Sequence, residues 1–345
     1  MYKRLEIDYR LSRAEDLPQL PDDITERISN TYLIFMVNGH YQPDMTDIPE
    51  SISVTTNLDH FNLNKKLYLD YKNSNPFSAL NTSMMNSGIC ITLDADVILD
   101  KPIQVIYATM DIVDPIMNHP RFIFQLGNNS EVTIIEHYMG STDLAYFINP
   151  VSNVIINNNA KLNHFRIEAD DALANHIAST NYTLGADSQL NSVSISSGSK
   201  LFRHNIDLTF NDKGGYANLN GLSTIKDDQH HDQHIIIEHF KNTCQSKQLF
   251  KYILSDRSSG VFNGKVVVKE DTRQTNADQA NKNLLLSPEA IMNTNPQLEI
   301  YSEDVKCSHG STTGQIDKEA LFYLQSRGIS KSKACLLYTS DAADE

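Results

Sequence analysis

The sequence has 345 residues, and its formal net charge of −14 comes from 43 acidic residues against 29 basic ones. An acidic chain disfavours nucleic-acid partners, because phosphates are bound through basic stripes. No apolar run reaches the roughly 18 residues that a membrane-spanning helix needs, and the first residues lack the apolar segment of a signal peptide. The four cysteines are dispersed without a Cys-x-x-Cys pair, which fits a reducing compartment. We therefore expect a soluble, cytoplasmic, globular protein without nucleic-acid or membrane partners.

The N-terminal region, residues 1–87, is predicted to mix helices and strands. Residues 22–28 follow a proline and begin with two aspartates, as helix starts often do. Tyr32–Val37 reads as a buried strand that ends in an Asn-Gly turn. A second predicted helix begins at residues 75–81 and stops near Gly88.

From residue 88 onward, short apolar stretches alternate with Asn, Gly, Asp and Ser. This texture is typical of a sandwich, a barrel or a β-solenoid. The predicted strands are residues 89–93, 103–107, 121–126, 132–135, 152–156, 164–167, 190–195, 201–210, 235–240, 250–254 and 266–269.

A weak internal period distinguishes among these folds. Four similar segments begin at positions 127, 157, 185 and 214, so their starts are 30, 28 and 29 residues apart. Each begins with Gly or Asn, has a small residue three positions later and an apolar residue two further on. A fixed period of this size indicates a repeat architecture, in which Gly and Asn turn tight corners. We therefore predict a mainly β chain folded as a β-helix.

The C-terminal part becomes helical again in the predicted pattern. Residues 316–327 have Asp317 at a plausible N-cap, apolar residues at Leu321 and Leu324, and Gly328 directly after the end.

The segment at residues 260–265 resembles a phosphate-binding loop but lacks its essential features. It has three residues between its glycines instead of four, and Val266 follows the lysine where a Ser or Thr would hold Mg²⁺. We predict a β-turn between strands here, and a chain that is not itself an ATPase.

A histidine-rich segment is a first candidate metal site. His230, Asp232 and His234 share one face of a strand, and two imidazoles with a carboxylate suit Zn²⁺ or Fe²⁺. The competing interpretation, which we favour, is an exposed polar strand face.

The second candidate site is the pair Cys307 and His309. Strand alternation places both on one face with Val305, whereas the apolar face before Ile300 has the other parity, so we expect a bulge or break near residues 302–303. A thiol and an imidazole suit iron, an iron–sulfur cluster or zinc, but two ligands are too few, so a partner chain would supply the others. The alternative is a cysteine that packs as a small hydrophobe beside a histidine at the strand end.

The same region carries a resemblance to a known family. Residues 304–315 (Asp-Val-Lys-Cys-Ser-His-Gly-Ser-Thr-Thr-Gly-Gln), followed by residues 321–329, resemble the C-terminal signature of the SufB/SufD family of the SUF iron–sulfur cluster assembly system. The Val-Lys-Cys-Ser-His run is similar to the SufD branch, whereas the SufB branch has an acidic residue at the position of Gly310. The resemblance covers about residues 75 to 334 and includes residues 260–265, 274–287 and 296–300.

The resemblance implies a right-handed parallel β-helix over residues 88–315 and a non-catalytic role in cluster assembly. It implies pairing with SufB through the β-helix, where His309 and Cys307 would bind iron or a transient iron–sulfur cluster shared with SufB. No cofactor is expected to be tightly bound in the isolated chain.

The resemblance also implies that residues 316–334 begin a helical region that binds the SufC ATPase. Residues 335–345 depart from the family pattern, and we suspect a non-native tail there. The residues expected to contact SufC are Leu321, Phe322, Tyr323 and Arg327.

Three alternatives stay open at this point. The chain could be a SufB-like paralogue. It could be a polysaccharide-acting β-helix enzyme, which would need acidic and basic residues along a groove and a secretory signal. It could also be a metal-binding module built on His230, Asp232 and His234.

Overall fold

Two parallel sheets, wound from one chain, make up most of the structure. The computed structural model describes residues 9–13, 30–56, 75–85, 87–110, 112–141, 143–315, 318–330 and 333–334. The two helices are α1 (Pro76–Met84) and α2 (Lys318–Ser326), and a 3₁₀ turn spans Pro43–Met45. The strands are β1 (Arg10–Leu11), β2 (Tyr32–Val37), β3 (His40–Tyr41), β4 (Ile52–Thr56), β5 (Ser87–Leu93), β6 (Ile103–Met110), β7 (Ile116–Asn118), β8 (Pro120–Leu126), β9 (Glu131–Ser141), β10 (Phe147–Ile148), β11 (Val151–Ile156), β12 (Lys161–Ala169), β13 (Asn175–Leu184), β14 (Gln189–Ser196), β15 (Leu201–Phe210), β16 (Tyr216–Ile225), β17 (His230–His239), β18 (Gln245–Leu254), β19 (Ser259–Val268), β20 (Thr275–Leu285), β21 (Ile291–Ile300) and β22 (Val305–Gln315).

The strand order confirms a mainly β fold, a parallel β-solenoid of about eight turns. The first sheet runs in the order β21-β19-β17-β15-β13-β11-β8-β5-β4, and the second in the order β22-β20-β18-β16-β14-β12-β9-β6-β2-β3. From β11 onward, each strand pairs with the strand two positions later in the chain, so the chain alternates between the sheets as it climbs. Antiparallel pairs occur at the N-terminal end of the stack, between β2 and β3 and between β4 and β5.

The corners between the sheets are built from residues with left-handed backbone. Asn129, Asn159 and Asp187 stack on one another with φ of 58°, 59° and 53°. Gly214 and Thr243 continue the same column at 75° and 61°. The peptide N–H of each of the first three donates to a carbonyl in the next turn, at 2.9 Å. Asn, Asp and Gly tolerate this conformation, so their recurrence produces the period seen in the sequence.

The repeat prediction is correct in kind and wrong by two residues in its fourth segment. The first three segments are in register, with their small residues Ser130, Ala160 and Ser188 all buried. Strands β14 and β16 pair with an offset of 27 residues, so Gly214 stacks on Asp187 instead of taking the position of Gly185. The corner is shorter in this turn, and a glycine search alone cannot detect that.

Local predictions agree closely with the described elements. Every predicted strand overlaps an observed one, and the predicted helices at residues 75–81 and 316–327 correspond to α1 and α2. Asn75 caps α1 by accepting the Phe77 N–H at 3.0 Å, and Gly328 follows α2 with φ of 83°. The predicted helix at residues 22–28 and the cap at Asp317 lie outside the described residues. No helix in the described ranges is long and apolar enough to cross a membrane.

The predicted turn at residues 260–265 is wrong, because this segment lies inside β19. Gly260 and Gly264 face inward, and a Cβ on Gly264 would lie 2.3 Å from the Gln279 amide nitrogen. A Cβ on Gly260 would lie 2.7 Å from the Met292 sulfur. Both glycines therefore make room for side chains of later turns, and neither is needed to reverse the chain.

Four strands escaped the sequence prediction because they are rich in Asn, Ser, Thr and Gln. In β20, the inward amide of Gln279 donates to Gln248 of the turn below at 3.2 Å. Asn281 likewise donates to the carbonyl of Phe250 at 3.1 Å. Stacked amides satisfy one another between turns, so an inward position in this solenoid need not be apolar. The strands missed are β13, β16, β20 and β21.

Candidate functional site

The final strand β22 forms the end of the second sheet and carries the Cys307–His309 pair. Among the described strands it pairs with β20 alone, in parallel register, so Cys307 lies beside Ala277 and His309 beside Gln279. Ala277 and Gln279 are buried, whereas Cys307 is half-buried and His309 is exposed. The inward positions of the last turn are therefore open to solvent on their far side.

Cys307 combines an apolar setting with access. Together with Val305 it packs against a small buried cluster of Val266, Val268 and Ala277. Burial raises the pKa of the Cys307 thiol, although the backbone of Ala277 opposes this shift through a hydrogen bond. The thiol is consequently protonated near neutral pH, and a metal that binds it must displace the proton.

The predicted change of strand parity before Cys307 is a corner of the solenoid. β21 ends at Ile300 and β22 begins at Val305, and the corner between them is fastened to the turn below. Tyr301 donates its N–H to the carbonyl of Val268 at 2.9 Å, and Gln274 donates to the carbonyl of Asp304 at 2.8 Å. The break near residues 302–303 is confirmed, and it resets which side chains face inward.

A shallow cavity of about 370 Å³ lies beside Cys307. Lys247 and Lys306 line it together with Asp278, whose carboxylate accepts a hydrogen bond from Ser308. The thiol is thus flanked by cationic side chains at the open end.

The histidine-rich segment lies on β17, and its three candidate ligands face outward as predicted. Asp232 is held by Arg203 at 2.7 Å and by His234 at 2.9 Å. His230 contacts the Ser259 hydroxyl at 2.7 Å through Nδ1. These contacts describe a hydrogen-bonded polar strand face, with one carboxylate already neutralised by an arginine.

The predicted SufC-contact residues lie on α2. Phe322 is 72 % exposed and Tyr323 is 56 % exposed. Arg327 donates to the Tyr323 hydroxyl at 2.7 Å and stacks over its ring, 4.8 Å from the centroid. The side chain of Leu321 is outside the described part of the structure. The helix therefore presents an aromatic and cationic surface.

Sequence reasoning missed a charged network inside the middle turns. Glu136 is 1 % exposed and accepts hydrogen bonds from His164 at 2.9 Å and Arg166 at 3.0 Å, and also from Tyr138 and Ser152. Burial alone would raise the pKa of Glu136, but the hydrogen bond from His164 and the charge of Arg166 lower it to about 2. Charged residues at inward positions of the predicted strands were the available signal.

A second buried group adjoins this network. Glu168, Asp170 and His176 place one potential ligand atom each within 4.8 Å of one another. Burial and the nearby Asp170 charge raise the pKa of Glu168 to about 8.

The fold and the site define a class of protein: a parallel β-solenoid with a thiol–imidazole pair on its uncovered last strand. Residues 109–340 match the family described as SUF system FeS cluster assembly, SufBD core domain. The chain belongs to the SufBD family of this assembly system.

Individual relatives agree with this assignment. The chain is 31 % identical over 323 residues to the iron–sulfur cluster assembly protein SufD of Escherichia coli, covering 93 % of this chain and 75 % of that protein. It is 34 % identical over 313 residues to an iron–sulfur cluster assembly SufBD family protein of Synechocystis sp., covering 86 % and 69 %. It is 24 % identical over 260 residues to SufD of Bacillus subtilis, covering 74 % and 59 %.

Proposed function

We propose that this chain is a non-catalytic, SufD-type scaffold subunit of a cytoplasmic SufB–SufC–SufD complex. Its cargo is iron or a nascent iron–sulfur cluster, held transiently between this chain and SufB. The observation that carries the proposal is the position of Cys307 and His309, two residues apart on the same face of the uncovered last strand.

The open edge of β22 supports pairing with a second β-solenoid. An edge strand presents unpaired N–H and C=O groups, which form a template for another strand. β22 has 11 residues and no proline, whereas β21, the last strand of the first sheet, contains Pro296. Because proline cannot donate to a ladder, β22 is the better of the two terminal strands for augmentation. We assign SufB as the partner that occupies it.

The chemistry of the pair also requires a partner. Iron–sulfur clusters are usually held by four protein ligands, and this strand offers two. A protonated, half-buried thiol and an exposed imidazole bind iron well only when further ligands complete the site. SufB residues facing β22 would supply them, and separation of the two chains would release the cargo.

The C-terminal helix supports a second contact. We assign α2 and residues 316–334 to SufC binding, because Phe322 and Tyr323 are exposed beside Arg327. Aromatic and arginine side chains are enriched at protein interfaces. Since residues 260–265 form a strand, nucleotide hydrolysis belongs to SufC.

The test is cluster assembly on the complex co-expressed with SufB and SufC. We expect His309→Ala to abolish the cluster absorption of the purified complex and Cys307→Ser to reduce it, with the complex still formed. Ser308→Ala, on the opposite face of the same strand, is the matched control and should retain wild-type absorption. Wild-type cluster content in His309→Ala together with Cys307→Ser would contradict the proposed site.

A further inference from the structure

Three ionisable side chains meet inside the solenoid, far along the chain from the Cys307–His309 edge. Glu168 lies near the end of β12, Asp170 in the corner that follows, and His176 near the start of β13. Their exposures are 1 %, 5 % and 0 %. One potential ligand atom of each lies within 4.8 Å of the others, a separation compatible with a shared ion.

Neighbouring groups hold the carboxylates and the imidazole in fixed orientations. His176 Nδ1 lies 2.6 Å from Asp170 Oδ2, and Tyr146 donates its hydroxyl to Asp170 Oδ1 at 2.7 Å. Glu168 Oε1 accepts from Ser199 Oγ at 2.7 Å and from the Asp170 N–H at 3.2 Å. Outer hydrogen bonds of this kind orient ligands in metal sites.

One oxygen of Glu168 has no such partner. Glu168 Oε2 is buried and accepts no hydrogen bond from any described residue. Buried polar atoms are nearly always paired, so an unpaired carboxylate oxygen at a cluster of this kind points to a group that binds there.

The charges around the cluster point in the same direction. Glu136 and Arg166 neutralise each other through their ion pair at 3.0 Å. Among the described residues, this leaves Glu168 and Asp170 as buried acids in the network without a basic residue of their own. Two buried negative charges require two positive ones, which either two protons or one divalent cation can supply.

We propose that Glu168, Asp170 and His176 bind a divalent transition-metal ion inside the solenoid. Two carboxylate oxygens and the imidazole Nδ1 form a mixed oxygen and nitrogen donor set, which suits Zn²⁺, Mn²⁺ or Fe²⁺. Nδ1 is the donor because Nε2 lies 2.6 Å from the Arg166 guanidinium. The metal is resident and fastens the β12–β13 corner, unlike the transient cargo at the edge. It also departs from the sequence-based expectation that the isolated chain holds no tightly bound cofactor.

The experiment is elemental analysis of the purified full chain, followed by refolding with Zn²⁺, Mn²⁺, Fe²⁺ or Co²⁺. All samples carry Cys307→Ser and His309→Ala, so that the edge contributes no ligands. We expect about one metal ion per chain, Co²⁺ visible absorption, and a higher melting temperature with metal. Glu168→Gln and His176→Asn should reduce the metal content to background.

The matched control is His204→Asn, because His204 is another buried inward histidine, 2 % exposed, and lies outside the cluster. It should keep the metal. Should the cluster variants not fold, the background chain decides the matter, since failure to take up any of the four ions would overturn the proposal in favour of two protons. Metal retained in both cluster variants, or lost from the background chain, would overturn it as well.

Discussion

The covered middle turns and the open last turn of the solenoid use the same inward positions differently. His204 in β15 contacts Thr180 at 2.9 Å, and His239 in β17 contacts Ser246 at 2.9 Å, both in full burial. His309 also occupies an inward register position, beside Gln279, but no described strand covers its other side. An inward polar side chain is therefore structural where turns lie on both sides. It becomes available to a ligand where one side is open.

The largest expected difference between the two regions is in stability. We expect Glu136→Ala to lower the free energy of unfolding by about 3–5 kcal/mol, because it leaves the Arg166 charge buried without its acceptor. His309→Ala, at the open end, should change it by less than about 0.5 kcal/mol. Urea unfolding followed by circular dichroism measures both, since the chain has no tryptophan.

A double variant separates the charge from the packing. Glu136→Leu combined with Arg166→Met should recover much of the lost stability, since replacing both partners removes the uncompensated charge. Equal losses at Glu136 and His309 would show that the two regions do not differ in the way proposed.

Two glycines give a second, smaller contrast. A Cβ at Gly264 would lie 2.3 Å from the Gln279 amide and 2.8 Å from Phe262, whereas a Cβ at Gly310 meets nothing within 4 Å. Gly264→Ala should therefore cost about 1–3 kcal/mol as an overpacked position, and Gly310→Ala should be close to neutral. Thermal melts of the two variants make the comparison, and a melting temperature for Gly264→Ala equal to that of Gly310→Ala would contradict it.

Sequence reasoning recovered what depends on neighbours along the chain. Strand alternation alone placed Cys307 and His309 on one face, and local turn residues revealed the period. The network around Glu136 and Arg166 depends on the pairing of β9 with β12, which sets these residues opposite each other 30 residues apart. The role of Gly264 depends on Gln279 in a later turn. Such contacts follow from the register between turns, which varies from 27 to 31 residues here and is not written in any single segment.

The smallest expected effect is a pH dependence confined to the covered turns. Burial lowers the pKa of His239 to about 4, from an ordinary value near 6.5. Between these two values the unfolded chain binds a proton that the folded chain does not, so stability falls as the pH is lowered through this window. At pH 5.5, His239 accounts for about 1.4 kcal/mol of the loss relative to pH 7.

The variant His239→Gln tests this directly. Its difference in unfolding free energy between pH 7 and pH 5.5 should be smaller than that of the wild type by about this amount. Comparing the difference, instead of the stability itself, removes any packing cost of the substitution, since that cost is the same at both pH values. The open-end variant His309→Gln should retain the wild-type difference. If both variants keep it, burial of inward histidines is not what makes the covered turns sensitive to acid, and the contrast between covered and open positions must rest on packing and charge alone.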